Sequence, residues 1–72
     1  MNNLNVAKIQ LNGSSYEING GTNLTQLLDK LEISSKKVAI EVNGEIIEKN
    51  KYAELVLNED DKVEIVHFIG GG

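Results

Sequence analysis

Apolar residues recur at every second position along most of this chain and at every third or fourth position over one short stretch only. That restricts the fold to a sheet carrying a single helix. The stretch is Leu24, Leu27, Leu28 and Leu31, the i, i+3, i+4, i+7 spacing of one helical face. Asn23 caps its first turn with Gln26 three residues on, a capping-box pair in which each side chain accepts a hydrogen bond from the other residue's backbone N–H; Thr22 is the alternative cap. Ser34 and Ser35, after Ile33, are poor helix formers and end the helix near Leu31 or Glu32.

Before the helix, Val6, Ile9 and Leu11 and then Tyr16 and Ile18 alternate with polar residues on either side of Asn12-Gly13-Ser14-Ser15. The pattern predicts a hairpin of strands at about Val6 to Leu11 and Ser14 to Ile18. Asn-Gly favours a tight turn, and the serine pair points to a loop longer than two residues. After the helix, Lys36 to Val42 reads as a strand with Val38, Ile40 and Val42 on one face, closed by Asn43-Gly44. Ile46-Ile47 is a short strand and Glu48 to Ala53 is polar and irregular. Leu55-Val56-Leu57 is a candidate for a brief edge segment, Asn58 to Asp61 is the last turn, and Lys62 to Ile69 is the final strand. The expected fold class is α+β: a mixed sheet of four to five strands with one helix packed on one face. With 72 residues and 7.9 kDa there is material for one core. Residues 1–69 are read as that domain and residues 70–72 as a flexible glycine tail.

Composition removes several classes of function. Cys is 0 and His is 1, so neither a nucleophilic triad nor a thiolate or His-rich metal site is available within one chain. Glu59-Asp60-Asp61 lacks the spaced ligands of a calcium loop and reads as a solvated turn. Gly20-Gly21 ahead of the helix has neither a phosphate-loop lysine nor a dinucleotide fingerprint and reads as a connecting turn. His67 reads as a half-buried strand residue. The net charge is −4, all 7 cations are lysine, and aromatic residues make up 4%, so nucleic acid is not an expected partner. Met1 to Asn5 lacks the basic head and apolar stretch of a signal peptide, and no apolar run nears the roughly 18 residues of a membrane span. A cytoplasmic non-enzyme without metal or cofactor is expected.

The end of the chain departs from this pattern. Val63, Ile65 and Ile69 share one parity of the last strand while Val66 and Phe68 lie on the other, so apolar groups face both ways. In a one-helix domain the second face meets solvent, which makes Val66, Phe68 and Ile69 candidate partner-binding residues. The alternative, that Phe68 folds over a sheet edge, stays open. Gly70, Gly71 and Gly72 follow, costly to order and without side chains to pack. Lacking Cβ atoms, they can thread roughly 10 Å of extended backbone into a narrow channel and present a carboxylate at its end. A frayed end or cloning scar is the alternative. A carboxylate with a pKa near 3.3–3.7 is ionised and unreactive at neutral pH, so a partner would have to activate it, for example as an acyl-adenylate made with ATP.

Layout and tail together resemble the ubiquitin-like β-grasp sulfur carriers, in particular the thiamin-pathway sulfur carrier (ThiS) family. The residues that carry the resemblance are the capped Leu24-Thr25-Gln26-Leu27-Leu28 helix, Val42-Asn43-Gly44 followed by Ile46-Ile47, Tyr52, the acidic turn before Val63, and Val66-His67-Phe68-Ile69-Gly70-Gly71-Gly72. Glu48-Lys49 stands where the family commonly has Pro-Arg, and Asp60 where it often has Gly. The resemblance implies a ubiquitin-like β-grasp and covalent chemistry at Gly72. It further implies that an E1-like enzyme adenylates Gly72 with ATP, that a sulfur donor converts it to a thiocarboxylate, and that thiazole synthase receives the sulfur. The small subunit of molybdopterin synthase shares fold, Gly-Gly end and chemistry, and is the nearest alternative. A non-covalent ubiquitin-like interaction domain and a modifier joined to lysines through Gly72 are the others.

Overall fold

Two Asn-Gly turns organise the sheet. In the first, Asn12 and Gly13 have φ of 48° and 85°; in the second, Asn43 and Gly44 have 54° and 85°. Positive φ at both central positions is the type I′ geometry that matches the twist of a two-residue hairpin. Residues 5–69 are described by the computed structural model. The first turn joins β1 (Val6–Leu11) to β2 (Ser14–Asn19), with Leu11 directly opposite Ser14. The serines therefore belong to the strand and the loop is two residues long, shorter than the sequence suggests: Asn-Gly chemistry overrides weak strand propensity. The second turn joins β3 (Val38–Val42) to β4 (Glu45–Ile46).

The last strand, β5 (Lys62–His67), lies in the middle of the sheet, whose order is β2-β1-β5-β3-β4. It runs parallel to β1 and antiparallel to β3. Both asparagines reach it with their side chains. Asn12 accepts from the Ile65 N–H at 2.7 Å and donates to the Ile65 carbonyl at 3.1 Å, continuing the β1–β5 ladder past the end of β1. Asn43 accepts from the Lys62 N–H at 2.9 Å and donates to Asp61 Oδ1 at 3.0 Å. The central strand is thus pinned by the second turn at its start, Lys62, and by the first turn at Ile65 within it.

Helix α1 (Leu24–Leu31) lies on one face and buries Leu24, Leu27 and Leu28. Its Asn23–Gln26 capping box is complete, at 2.8 and 3.0 Å. Leu24 and Thr25 donate to the carbonyl of Tyr52, and Leu24 also to that of Leu55, so the segment after β4 satisfies amides that a helix start leaves open. The helix ends in a Schellman arrangement, with Glu32 left-handed at φ 60° and the Ile33 N–H on the Leu28 carbonyl. Against the helix pack Ala7, Ile9, Ile18, Val38, Ile40, Val42, Val63 and Ile65 from the strands, with Tyr52 and Leu57 from the irregular segment.

Several expected boundaries shift. Ser35–Lys37 form a 3₁₀ turn and β3 begins at Val38 rather than Lys36. The short strand is Glu45–Ile46 rather than Ile46-Ile47. The candidate segment Leu55 to Leu57 contributes a single bridge, Val56 to Asn23. The final strand stops at His67, because its partner β3 starts at Val38, opposite His67.

Because Asn12 supplies both a left-handed turn residue and two bonds to the central strand, Asn12→Ala is expected to cost about 2–3 kcal/mol. Asn12→Gly keeps the turn and loses only the side-chain bonds, so its cost should be about half of that. Urea denaturation of the two variants measures the difference.

Candidate functional site

The end of β5 carries the residues singled out for partner binding. Val63 and Ile65 point into the core, and alternation turns Val66 to the opposite face, where it is 54% exposed and stands opposite Ala39. On the same face Glu64 lies directly opposite Glu41. Like charges in that position cost stability, and they place carboxylates beside the apolar Val66–Ala39 pair. Ile46, paired with Glu41 across β4, is also largely exposed.

Phe68 and Ile69 lie beyond the last ladder pair, so strand alternation no longer governs them. Ile69, a candidate partner-binding residue that shares the parity of Val63 and Ile65, is 97% exposed, the strand having ended two residues earlier. Phe68 is 57% exposed, and its backbone N–H donates to the Lys37 carbonyl at 2.9 Å. Its ring lies 5.4 Å from the Lys49 ammonium, so Phe68 leans toward the 3₁₀ turn Lys49–Lys51 while keeping much of its surface in solvent. Each of the two sequence readings of Phe68 holds one part of this. His67 is exposed rather than half-buried, since the face it shares with Ile65 runs out of helix to cover it. Gly70, Gly71 and Gly72, assigned to threading and to covalent chemistry, lie outside the described residues.

Tyr52, aligned on the resemblance alone, is a core residue at 3% exposure. Burial pushes its phenol above the usual range, with the backbone of Ile40 opposing the shift. Among the described residues, no group of three His, Cys, Asp or Glu side chains is placed to hold a metal ion, and no helix is long and apolar enough to cross a membrane. Sequence reasoning missed Lys49, which it noted only as a departure from a family pattern. A lone lysine in a polar stretch gives no signal until the fold brings Val38 and Phe68 beside it.

The arrangement is an exposed apolar strand end, rimmed by carboxylates, rooted in the central strand and leading into three glycines. The ThiS family model matches residues 9–72. The sulfur carrier protein ThiS of Bacillus subtilis strain 168 is 43% identical over 65 residues, covering 89% of this chain and 98% of the relative. A thiazole synthase of Magnetococcus marinus is 46% identical over 65 residues, 90% of this chain and 20% of that protein; the chain spans about a fifth of the length of the thiazole synthases it matches. The crystal structure of the thiamine biosynthesis protein (ThiS) from Geobacter metallireducens superposes with a TM-score of 0.77 at 31% identity, covering 90% of this chain and 99% of that one.

Because Tyr52 is held in its neutral form, its contribution to stability is present below the ordinary phenol value of about 10 and is lost as pH rises through the higher folded value. Tyr52→Phe is expected to flatten that alkaline loss. Urea midpoints between about pH 8 and pH 11 check it, and an equally steep fall in the variant would assign the loss to other groups.

Proposed function

The chain belongs to the ThiS family, and from that premise we propose that it is a sulfur carrier for thiamin biosynthesis whose working group is the carboxylate of Gly72. The observation that carries the proposal is the reach of the family match: it runs through Val66, Phe68 and Ile69 to Gly72, beyond anything the core requires. On this reading residues 1–69 are the recognition body and residues 70–72 the delivery tail.

The chemistry follows from the inertness of a carboxylate. An E1-like enzyme joins the Gly72 carboxylate to the α-phosphorus of ATP, releasing pyrophosphate and leaving an acyl-adenylate. Sulfide delivered by a sulfur donor attacks the acyl carbon and AMP departs, so one oxygen of the carboxylate is replaced by sulfur. The thiocarboxylate then gives up that sulfur during thiazole formation and the carboxylate returns. No side chain of the carrier takes part in bond making. Gly70 and Gly71 offer a backbone without Cβ atoms to the enzyme's channel, while Val66, Phe68 and Ile69 dock against the enzyme. Thiazole synthase as acceptor is supported by the M. marinus and Paramagnetospirillum magneticum proteins of that name, each matching this domain over 65 residues. Joining a carrier to its acceptor raises their effective concentration. Dependence on ATP fits a cytoplasmic setting.

Intact mass after incubation with ATP, an adenylating enzyme active on a known carrier, and a sulfur donor should increase by the difference between sulfur and oxygen, localised to Gly72. Deleting Gly72, or adding one residue after it, should abolish the gain and leave the melting temperature unchanged. Conversion of the extended chain would sink the proposal. Phe68→Ala should weaken enzyme binding by about 1–2 kcal/mol. If that loss appears while tail deletion changes nothing, a non-covalent interaction domain is the better description.

A further inference from the structure

Strand β4 leaves the sheet early. Its register with β3 pairs Glu41 with Ile46 and Val42 with Glu45, and the Ile47 N–H still reaches the Ile40 carbonyl at 3.0 Å. Continued by two residues, that register would set residue 49 opposite Val38 and its backbone N–H on the Val38 carbonyl. The chain instead turns into the 3₁₀ segment Lys49–Lys51. The Val38 carbonyl is bonded all the same, by the Lys49 ammonium at 2.8 Å. The side chain of the residue that left the ladder supplies the missing donor.

That bond fixes the ammonium between two rings, 5.4 Å from the centroid of Phe68 and 6.0 Å from that of Tyr52. Tyr52 is part of the core and does not move with the tail. Phe68 is the first residue after β5, its backbone N–H held by the Lys37 carbonyl. Lys49 therefore links a fixed ring, the first carbonyl of β3 and the ring at the root of the tail. A lysine carries three donor hydrogens, so one can serve Val38 while the charge faces the aromatic surfaces. We propose that Lys49 is a positioning residue that clasps Phe68 and so sets the direction in which the chain leaves the fold toward Gly70. The purpose of the clasp, though not its geometry, rests on the carrier reading.

The variant that separates a clasp from a structural strut is Lys49→Gln, whose amide retains a donor for Val38 but no charge for the ring. Ordering of the Phe68 ring, read by aromatic carbon relaxation, should fall in K49Q and return in K49R. KM for the adenylating enzyme should rise roughly two- to fivefold in K49Q with kcat unchanged, and K49R should restore it. Lys30→Gln removes an equivalent contact, 5.4 Å from the ring of Tyr16, and should alter neither readout. In a Phe68→Leu background, adding K49Q should have no further effect, because the two residues act through one another. Undiminished ring order in K49Q, failure of K49Q to fold, or an equal KM increase with and without the Phe68 ring would each overturn the proposal. A wild-type chain that is never adenylated would instead count against the carrier reading, and the ring order would still decide the clasp.

Discussion

Everything in this structure hangs on the last strand being the middle one. Strand β5 bonds to β1 on one edge and β3 on the other, and the amide side chains of Asn12 and Asn43 extend those ladders, at Ile65 and at Lys62. The hairpin on one side and the β3–β4 pair on the other have no other sheet contact with each other. The domain is therefore complete only when its C-terminal residues are in place, which makes the closing contacts long-range. It also means that the exposed end leading to the glycines emerges from the strand most difficult to open locally, since central strands exchange only in near-global unfolding. On the proposed carrier reading, the group to be transferred is rooted where the scaffold moves least.

The face around Val66 runs against the rules that the rest of the molecule follows. The core is apolar, with no buried polar or charged residue among the described residues, the helix is capped at both ends, and both hairpins use the turn residues their geometry demands. Yet Val66, Phe68 and Ile69 stand in solvent, and Glu41 faces Glu64 across the ladder. A domain of 72 residues has a total stability on the order of 4–11 kcal/mol, so such departures are tolerable only in small number. Glu41–Glu64 and Val66–Ala39 share the face of the β3–β5 pair that the helix leaves uncovered, and Phe68 and Ile69 extend beyond its Val38–His67 end; departures gathered in this way mark a functional surface more often than chance. With an overall charge of −4, the carboxylate rim favours approach to a basic surface and gives that encounter a dependence on salt.

What could be read in advance tracks how local the controlling physics is. The β1 boundaries, the helix and its capping box depend on periodicity and on pairs three residues apart, and these were legible. The second strand was placed correctly from Ser14, but the expectation of a loop longer than two residues came from reading serine propensity where the Asn-Gly turn had already decided the register. Boundaries fixed by pairing were less accessible: Lys36 and Lys37 fall outside β3, and Phe68 and Ile69 outside β5, because each strand ends where its neighbour does. Tyr52 and Leu57 enter the core from a segment with no period at all, and only their contacts with the helix start reveal it. Exposure of Val66 was legible from parity; that of Phe68, beyond the last ladder pair, and its lean toward Lys49 depended on where β5 ends and β4 leaves the sheet.

The smallness of the domain and the placing of its chemistry on the main chain are two sides of one constraint. A body this size buries only about 60% of the surface its unfolded chain exposes, and its interior is filled by side chains that hold sheet to helix. A catalytic cleft would have to be cut from that core, with cavity and polar-burial costs comparable to the whole stability. A terminal carboxylate avoids the conflict, since it needs no cleft in the carrier and can be activated in a site belonging to another protein. The residues leading to it then face the opposite demand from core residues: occupy as little width as possible. A channel sized to a backbone without Cβ atoms excludes chain ends built from any other residue. On the proposed carrier reading, selectivity arises from what the last three residues lack, while the folded body offers Val66, Phe68 and Ile69 for affinity and, by way of Lys49, sets the direction of approach.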